Sequence, residues 1–222
     1  SYAESDEDVV ILKRSTKGIY EDSSEANRLG KKVDLNFRLL GISPNMGPSS
    51  ALSAGYYIDR NKLFLLEIGS GKGTYSQSRR ESMNGVSKEF NSEAQVNQIG
   101  VHYKQFAGNS FYFRSGIDMQ TVDYKYDLTT SFYESNREVS SFKGESVIAS
   151  FVIGNQWQWD SFTLGCDWIG LATPLTHKIS SSKPPQAGEY ETWDISNFED
   201  MQKKYVTDSS GVLLRFYLGA SF

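Results

Sequence analysis

Few residues in this chain are suited to chemistry: two histidines, one cysteine and one glycine-lysine run. His102 could serve as a base only with a nucleophile and an orienting acid in reach, and Ser53 and Asp118 are its candidates. The simpler reading of His102 is a packed histidine in a polar network. His177 precedes Ser180, Ser181 and Ser182, a spacing that matches no hydrolase motif. Gly69-Ser70-Gly71-Lys72-Gly73 resembles a phosphate cradle in composition, but no helix follows, so it reads as a hinge. A lone Cys166 excludes an internal disulfide and a cysteine zinc site. No metal or cofactor is expected.

The elements that must position these residues come from composition and periodicity. The 222 residues suffice for one large core. A net charge of −4 argues against nucleic acid as a partner. No apolar run is long enough for a membrane helix, which leaves open a membrane barrel, whose strands alternate. Residues 1–32 are polar and form an N-terminal extension, to be read as a tail, an interfacial segment or a plug. From Val33 to Phe222 the chain alternates with period two in eight runs, about 33–42, 51–59, 63–70, 96–106, 110–121, 147–159, 162–171 and 211–222.

One face of these runs is apolar and interrupted only by Ser115 and Asn155. The other carries glycines and nearly balanced charges: Arg38, Lys104, Arg114 and Arg215 against Asp34, Asp59, Glu67, Asp118 and Asp167. Connections after the second, fourth and sixth runs are tight. Those after the third, fifth and seventh are long, roughly 71–95, 122–146 and 172–210. Sorted connections and glycines beside charges fit a narrow barrel with its polar face inside and its apolar face in lipid. Pairing Phe106 with Ser110 sets Gly100 against Gly116, and pairing Trp159 with Phe162 sets Gly154 against Asp167. A ten-stranded form stays open if 122–145 or 172–210 hides a hairpin.

The last run alternates cleanly and ends on Phe222. Here the chain resembles the small eight-stranded outer-membrane β-barrels of Gram-negative bacteria, the group holding the outer-membrane protein A barrel and the outer-membrane protein W type. The resemblance covers about 33–222 and selects no member. It implies an all-β, antiparallel, up-and-down transmembrane barrel with short periplasmic turns and long extracellular loops. It also implies periplasmic termini, and a Phe222 that the barrel-assembly machinery reads.

Three sets of residues follow. Arg38, Glu67, His102, Arg114, Asp118, Asp167 and Arg215 should form a polar network filling the lumen. Leu40, Ile148, Val152, Ile169, Leu171 and Leu213 should face inward above it, as a cup for a small hydrophobic ligand or acyl chain, or as packing beneath the loops. Tyr190, Trp193, Phe198 and Tyr205 crowd the last long loop, which should fold over the mouth or dock on an extracellular partner. Lys72, Arg79, Arg80 and Lys88 could meet lipopolysaccharide phosphates. The leading expectation is a monomeric, non-enzymatic surface protein contacting outer-membrane lipid, lipopolysaccharide and an extracellular partner. Binding or transport of a small hydrophobic ligand comes second, and a lipid-modifying enzyme third.

Overall fold

The computed structural model describes residues 23–43, 47–80, 87–130, 136–184, 198–212 and 214–222. Its strands are β1 (Val33–Ser43), β2 (Gly47–Asp59), β3 (Lys62–Arg80), β4 (Ser87–Phe106), β5 (Phe111–Thr130), β6 (Asn136–Trp159), β7 (Phe162–Lys183), β8 (Ser210–Val212) and β9 (Leu214–Ser221). Each pairs antiparallel with the next from β1 to β7. The short β8 and β9 are two stretches of one eighth strand. Both pair with β7, and β9 also pairs with β1, which closes the ring. The chain is an eight-stranded up-and-down antiparallel barrel.

Burial settles which face points out. Leu52, Val101 and Met119 are 64%, 60% and 63% exposed, whereas Asp34, Lys104 and Asp167 are 0–2% exposed. An apolar belt this continuous would be untenable in water and marks contact with hydrocarbon. Aromatic residues Phe64, Tyr103, Phe111, Phe113, Trp159 and Phe162 gather toward the end with the short turns. At these turns Gly108 and Asp160 take positive φ.

The structure corrects the sequence reading in four places. First, the long connections are largely strand. β3 and β4 stay paired out to Arg80–Ser87, β5 and β6 out to Thr129–Asn136, and β7 runs to Lys183. Above the belt the alternation continues in the opposite sense. Ala94, Val96, Val122, Tyr124, Tyr126 and Phe142 are buried inside, and Glu93, Asn97, Thr121 and Lys125 face water. A wall surrounded by water hides its apolar side, as an ordinary soluble sheet does.

Second, Ile169 and Leu171 point outward, 53% and 70% exposed, and do not line the lumen. Ile153 pairs with Ile169 but Gly154 pairs with Asp167, so Trp168 is an extra residue. This β-bulge flips the side chains that follow it on β7, as far as the next register shift at Leu175. It also resolves the anomaly at Asn155 on the lipid face: Trp168 Nε1 donates to Asn155 Oδ1 at 2.8 Å, and Asn155 Nδ2 donates to Ser110 Oγ at 2.9 Å.

Third, Phe106 pairs with Tyr112 rather than Ser110, because five residues and not three lie between the partners. Gly100 therefore opposes Asp118, and Gly116 opposes His102. Trp159 pairs with Phe162 and Gly154 with Asp167. Fourth, Asp59 sits outside the lumen, at the exposed β2–β3 turn beside Lys62.

Replacing Trp168 by Phe should leave the Asn155 amide oxygen without its donor in hydrocarbon and cost about 1–2 kcal/mol in urea unfolding from lipid vesicles. The further change Asn155→Leu should restore most of that loss.

Candidate functional site

The lumen is filled in layers. At the short-turn end, residues before β1 form a plug. Ser23 caps a single helical turn, α1 (Ser24–Asn27), accepting from the Ala26 N–H at 3.1 Å. Arg28 follows and is fully buried. Its guanidinium donates to the carbonyls of Arg60 at 2.8 Å, Asn109 at 2.8 Å and Gly108 at 3.2 Å, and lies 3.9 Å from the Phe106 ring centroid. The carbonyls belong to the β2–β3 and β4–β5 turns. The third turn is held by the Gln158 N–H donating to Ser24 Oγ at 3.0 Å and by Asn27 Nδ2 donating to the Gln158 carbonyl at 2.9 Å. One helical turn thus ties all three short turns together. Burial pulls the Arg28 guanidinium below its ordinary value, against the pull of Tyr57 and Glu25. Sequence reading left this segment open between tail, interfacial segment and plug, and no motif marks Arg28.

Above the plug lie Tyr57, Leu63, Leu65, Phe106 and Tyr112. Lys104 stands among them, donating to Gln156 Oε1 at 2.7 Å and to the Tyr217 hydroxyl at 3.2 Å. Its Nζ is 4.4 Å from the Tyr112 ring centroid. Aromatic faces and amide oxygens share its charge, a cation–π arrangement suited to a dry interior.

The next layer is the charge network. Glu67 accepts from Arg38 and, at 3.3 Å, from Arg114 Nη1. Arg114 Nη2 donates to Asp167 Oδ2 at 2.7 Å, and Arg215 Nη1 is 3.9 Å from the same oxygen. The Tyr112 hydroxyl donates to Asp167 Oδ1. Arg114 therefore bridges two carboxylates on β3 and β7, across the barrel. The space left among these groups is about 10 Å³, room for about one water.

Higher still, His102 Nε2 lies 3.1 Å from Asp118 Oδ1, and Ser150 Oγ donates to Asp118 Oδ2 at 3.1 Å. Ser150 and His102 thus share the carboxylate, whereas Ser53, the candidate nucleophile, stands on β2 in register with Asn36 and Glu67. A Cβ at Gly116 would overlap the His102 ring, and one at Gly100 would overlap Asp118, which is why both positions are glycine. Arg38, Glu67, His102, Arg114, Asp118, Asp167 and Arg215 all sit in the lumen, in two layers.

The top layer is apolar. Ala94, Val96, Val122, Tyr124, Tyr126 and Phe142 enclose Phe198 and Val206, with Met201 and Tyr205 alongside. These last four come from a helical segment, 198–207, whose final turn Lys203–Thr207 is π-helical. Gln120 Nε2 donates to the Tyr205 carbonyl at 2.9 Å. A Cβ on Gly144 would meet Val206 Cγ2 at 2.5 Å, so the wall is shaped for this segment. Burial pushes the Tyr205 phenol up.

Of the expected ligand cup, Ile148 and Val152 are buried inside, Ile169 and Leu171 face lipid, and Leu213 and the side chain of Leu40 lie outside the described residues. Phe198 and Tyr205, expected on a loop that folds over the mouth or docks on a partner, pack into the upper end of the barrel. Alternation had been followed only through the lipid belt, and the inner apolar wall that receives them lies above it. Tyr190 and Trp193 lie outside the described residues, as do the side chains of Arg79, Arg80 and Lys88. Lys72 pairs with Glu93 at 2.9 Å. His177 and Ser180–Ser182 are exposed on β7. Phe222 is exposed beside β1, its backbone bonded to Val33.

No protein-family model matches the chain, and no curated protein matches it. Solved structures do. The Neisserial surface protein A is 12% identical over 86% of this chain and 96% of its own, with a TM-score of 0.39. CarO of Acinetobacter baumannii is 13% identical over 86% and 96%, with a TM-score of 0.39. Ail, the attachment invasion locus protein of Yersinia pestis, solved with the heparin analogue sucrose octasulfate, is 9% identical over 86% and 97%, with a TM-score of 0.37. The assignment of this chain to the outer-membrane type of barrel rests on its own closed ring, charged interior and apolar belt.

Glu67→Gln should leave Arg38 and Arg114 short of a counter-charge and destabilise the barrel by about 3–5 kcal/mol in urea unfolding. Arg28→Ala should leave the barrel folded but raise hydrogen exchange at residues 106–110, which lose their plug contacts.

Proposed function

We propose that this protein is a non-enzymatic surface protein of the bacterial outer membrane. It presents the tall wall of β3–β7 to the outside and keeps both termini in the periplasm. The observation carrying this reading is that the lumen is occupied at every described level, by Arg28, by the ion pairs and by the 198–207 segment. A barrel so filled offers no solute path, so its working surface is the part that leaves the membrane. That part is long: β6 has 24 residues and β7 has 22, where about 9–11 cross the bilayer. Strands extended by regular pairing hold a surface more rigidly than loops do, which suits recognition of a fixed partner.

A second reading has one observation in its favour. The upper inner wall is apolar, and what fills it is the chain's own Phe198 and Val206. A small hydrophobic ligand could take that place if the segment moved aside. The lipid-modifying enzyme is the weakest reading, because the candidate nucleophile Ser53 stands on β2 and His102 on β4, with β3 between them.

Purified protein in planar bilayers should show no conductance above background. Gly144→Val should evict the helical segment and make 198–209 protease-sensitive. Binding of a fluorescent fatty acid by that variant but not by wild type would favour the ligand reading. Silence in both, with cell-surface binding lost when the wall above the belt is shortened, would favour the surface reading. Steady wild-type channels would refute both.

A further inference from the structure

The outer surface of β1–β5 carries a groove of about 480 Å³ where the lipid belt ends. Two rows of outward residues build it in register. The lower row is bulky and apolar: Phe37, Leu52, Ile68, Ile99 and Met119, each opposite the next. The row above is small and neutral: Ser50, Ser70, Asn97 and Thr121, again each opposite the next. Gln95 lies above this row, its Nε2 donating to Ser70 Oγ at 2.8 Å. Bulk below and small side chains above make a ledge with a recessed polar shelf.

The shelf is confined to this side. On β6 the residue paired with Met119 is Val147, and the one paired with Thr121 is Glu145, so apolar passes straight to charged. On β7 the lipid-facing Leu171 is followed by Thr173 and then by the exposed Leu175. The next charged level over the shelf is already neutralised, Lys72 by Glu93 at 2.9 Å and Asp123 by Lys143 at 3.1 Å. At that level, among the described residues, both lysines already have a carboxylate partner, so an anionic headgroup gains less there. Hydroxyls and amides, which do face the groove, are the groups that bind sugar hydroxyls.

We propose that this groove is a binding site for an acylated sugar lipid of the outer leaflet. Its chain lies along the Leu52–Ile68–Ile99–Met119 ledge, and its sugar ring sits on the Ser70–Asn97–Thr121 shelf. The leaflet assignment rests on the orientation proposed above; the binding chemistry does not.

The test uses the full chain in detergent, titrated by native mass spectrometry with an unphosphorylated N,O-acylated glucosamine lipid and with phosphatidylethanolamine of matched chains. The sugar lipid should bind about tenfold more tightly, the ratio expected for a few extra hydrogen bonds. Ser70→Leu with Asn97→Leu should erase the preference, and Ser115→Leu, lower on the belt, should keep it. Should the leucines prevent folding, Ser70→Ala with Thr121→Val replaces them. Equal affinity of the two lipids, or a preference that survives in the shelf variants, would overturn the site. Labelling of Lys143→Cys on intact cells tests the orientation separately: labelling only after cell disruption would place the groove in the inner leaflet while leaving the measured selectivity intact.

Discussion

Hydrocarbon offers a peptide group no hydrogen-bond partner, so every N–H and C=O within the belt must find one in the sheet. The seam between β1 and β9 meets that demand, with pairs from Asp34–Ser221 to Ile42–Leu214 joining the first strand to the last. Closure with only eight strands makes the tube narrow, and a narrow tube must be filled with side chains. Charged residues inside it have room for little water, so they rely on one another. Arg114 between Glu67 and Asp167 is the direct result: three strands far apart in sequence are tied by one guanidinium. The lumen cations Arg38, Lys104, Arg114 and Arg215 stand against the carboxylates Asp34, Glu67, Asp118 and Asp167, so the interior nearly balances without help from solvent.

Much of this is legible in the sequence because a membrane barrel inverts the soluble pattern while keeping its period. Alternation locates the strands, and glycines beside charges show which face is crowded. Gly100 and Gly116 are examples, since each leaves the space that Asp118 or His102 occupies. Their partners differ from the expected ones because a five-residue turn and a three-residue turn leave the same alternation and differ only in register. The bulge at Trp168 was hidden for a related reason. Leu164, Cys166 and Trp168 continue one apolar phase, and Ile169 and Leu171 begin another, so no polar residue marks the slip. The extra residue's indole N–H is what satisfies Asn155 on the lipid face.

The upper strands escaped for the opposite reason. Their pattern is ordinary for water-bathed sheet, with Val122, Tyr124 and Tyr126 hidden and Thr121, Asp123 and Lys125 outside. A reading that follows one phase up from the belt meets polar residues where it expects apolar ones and ends the strand. The change of phase is itself informative. Outward residues pass from Met119 to Thr121 and from Ile99 to Asn97 at paired positions, so the edge of the hydrocarbon can be drawn to within one row of side chains.

The two ends of the tube are closed by different physics, and the difference bears on which could open. At the short-turn end, Arg28 satisfies three carbonyls at the tips of turns, where each would otherwise meet water at little cost. Its retention depends on shape and on the Phe106 face as much as on charge. At the other end, Phe198 and Val206 fill a hollow whose walls are Tyr124, Tyr126 and Phe142, and a side-chain hydrogen bond from Gln120 holds the segment's backbone. Removing the plug exposes polar groups that water can serve. Removing the upper segment exposes apolar surface that water cannot, unless another apolar body replaces it. The upper hollow therefore needs an apolar filling, whereas the lower end tolerates water.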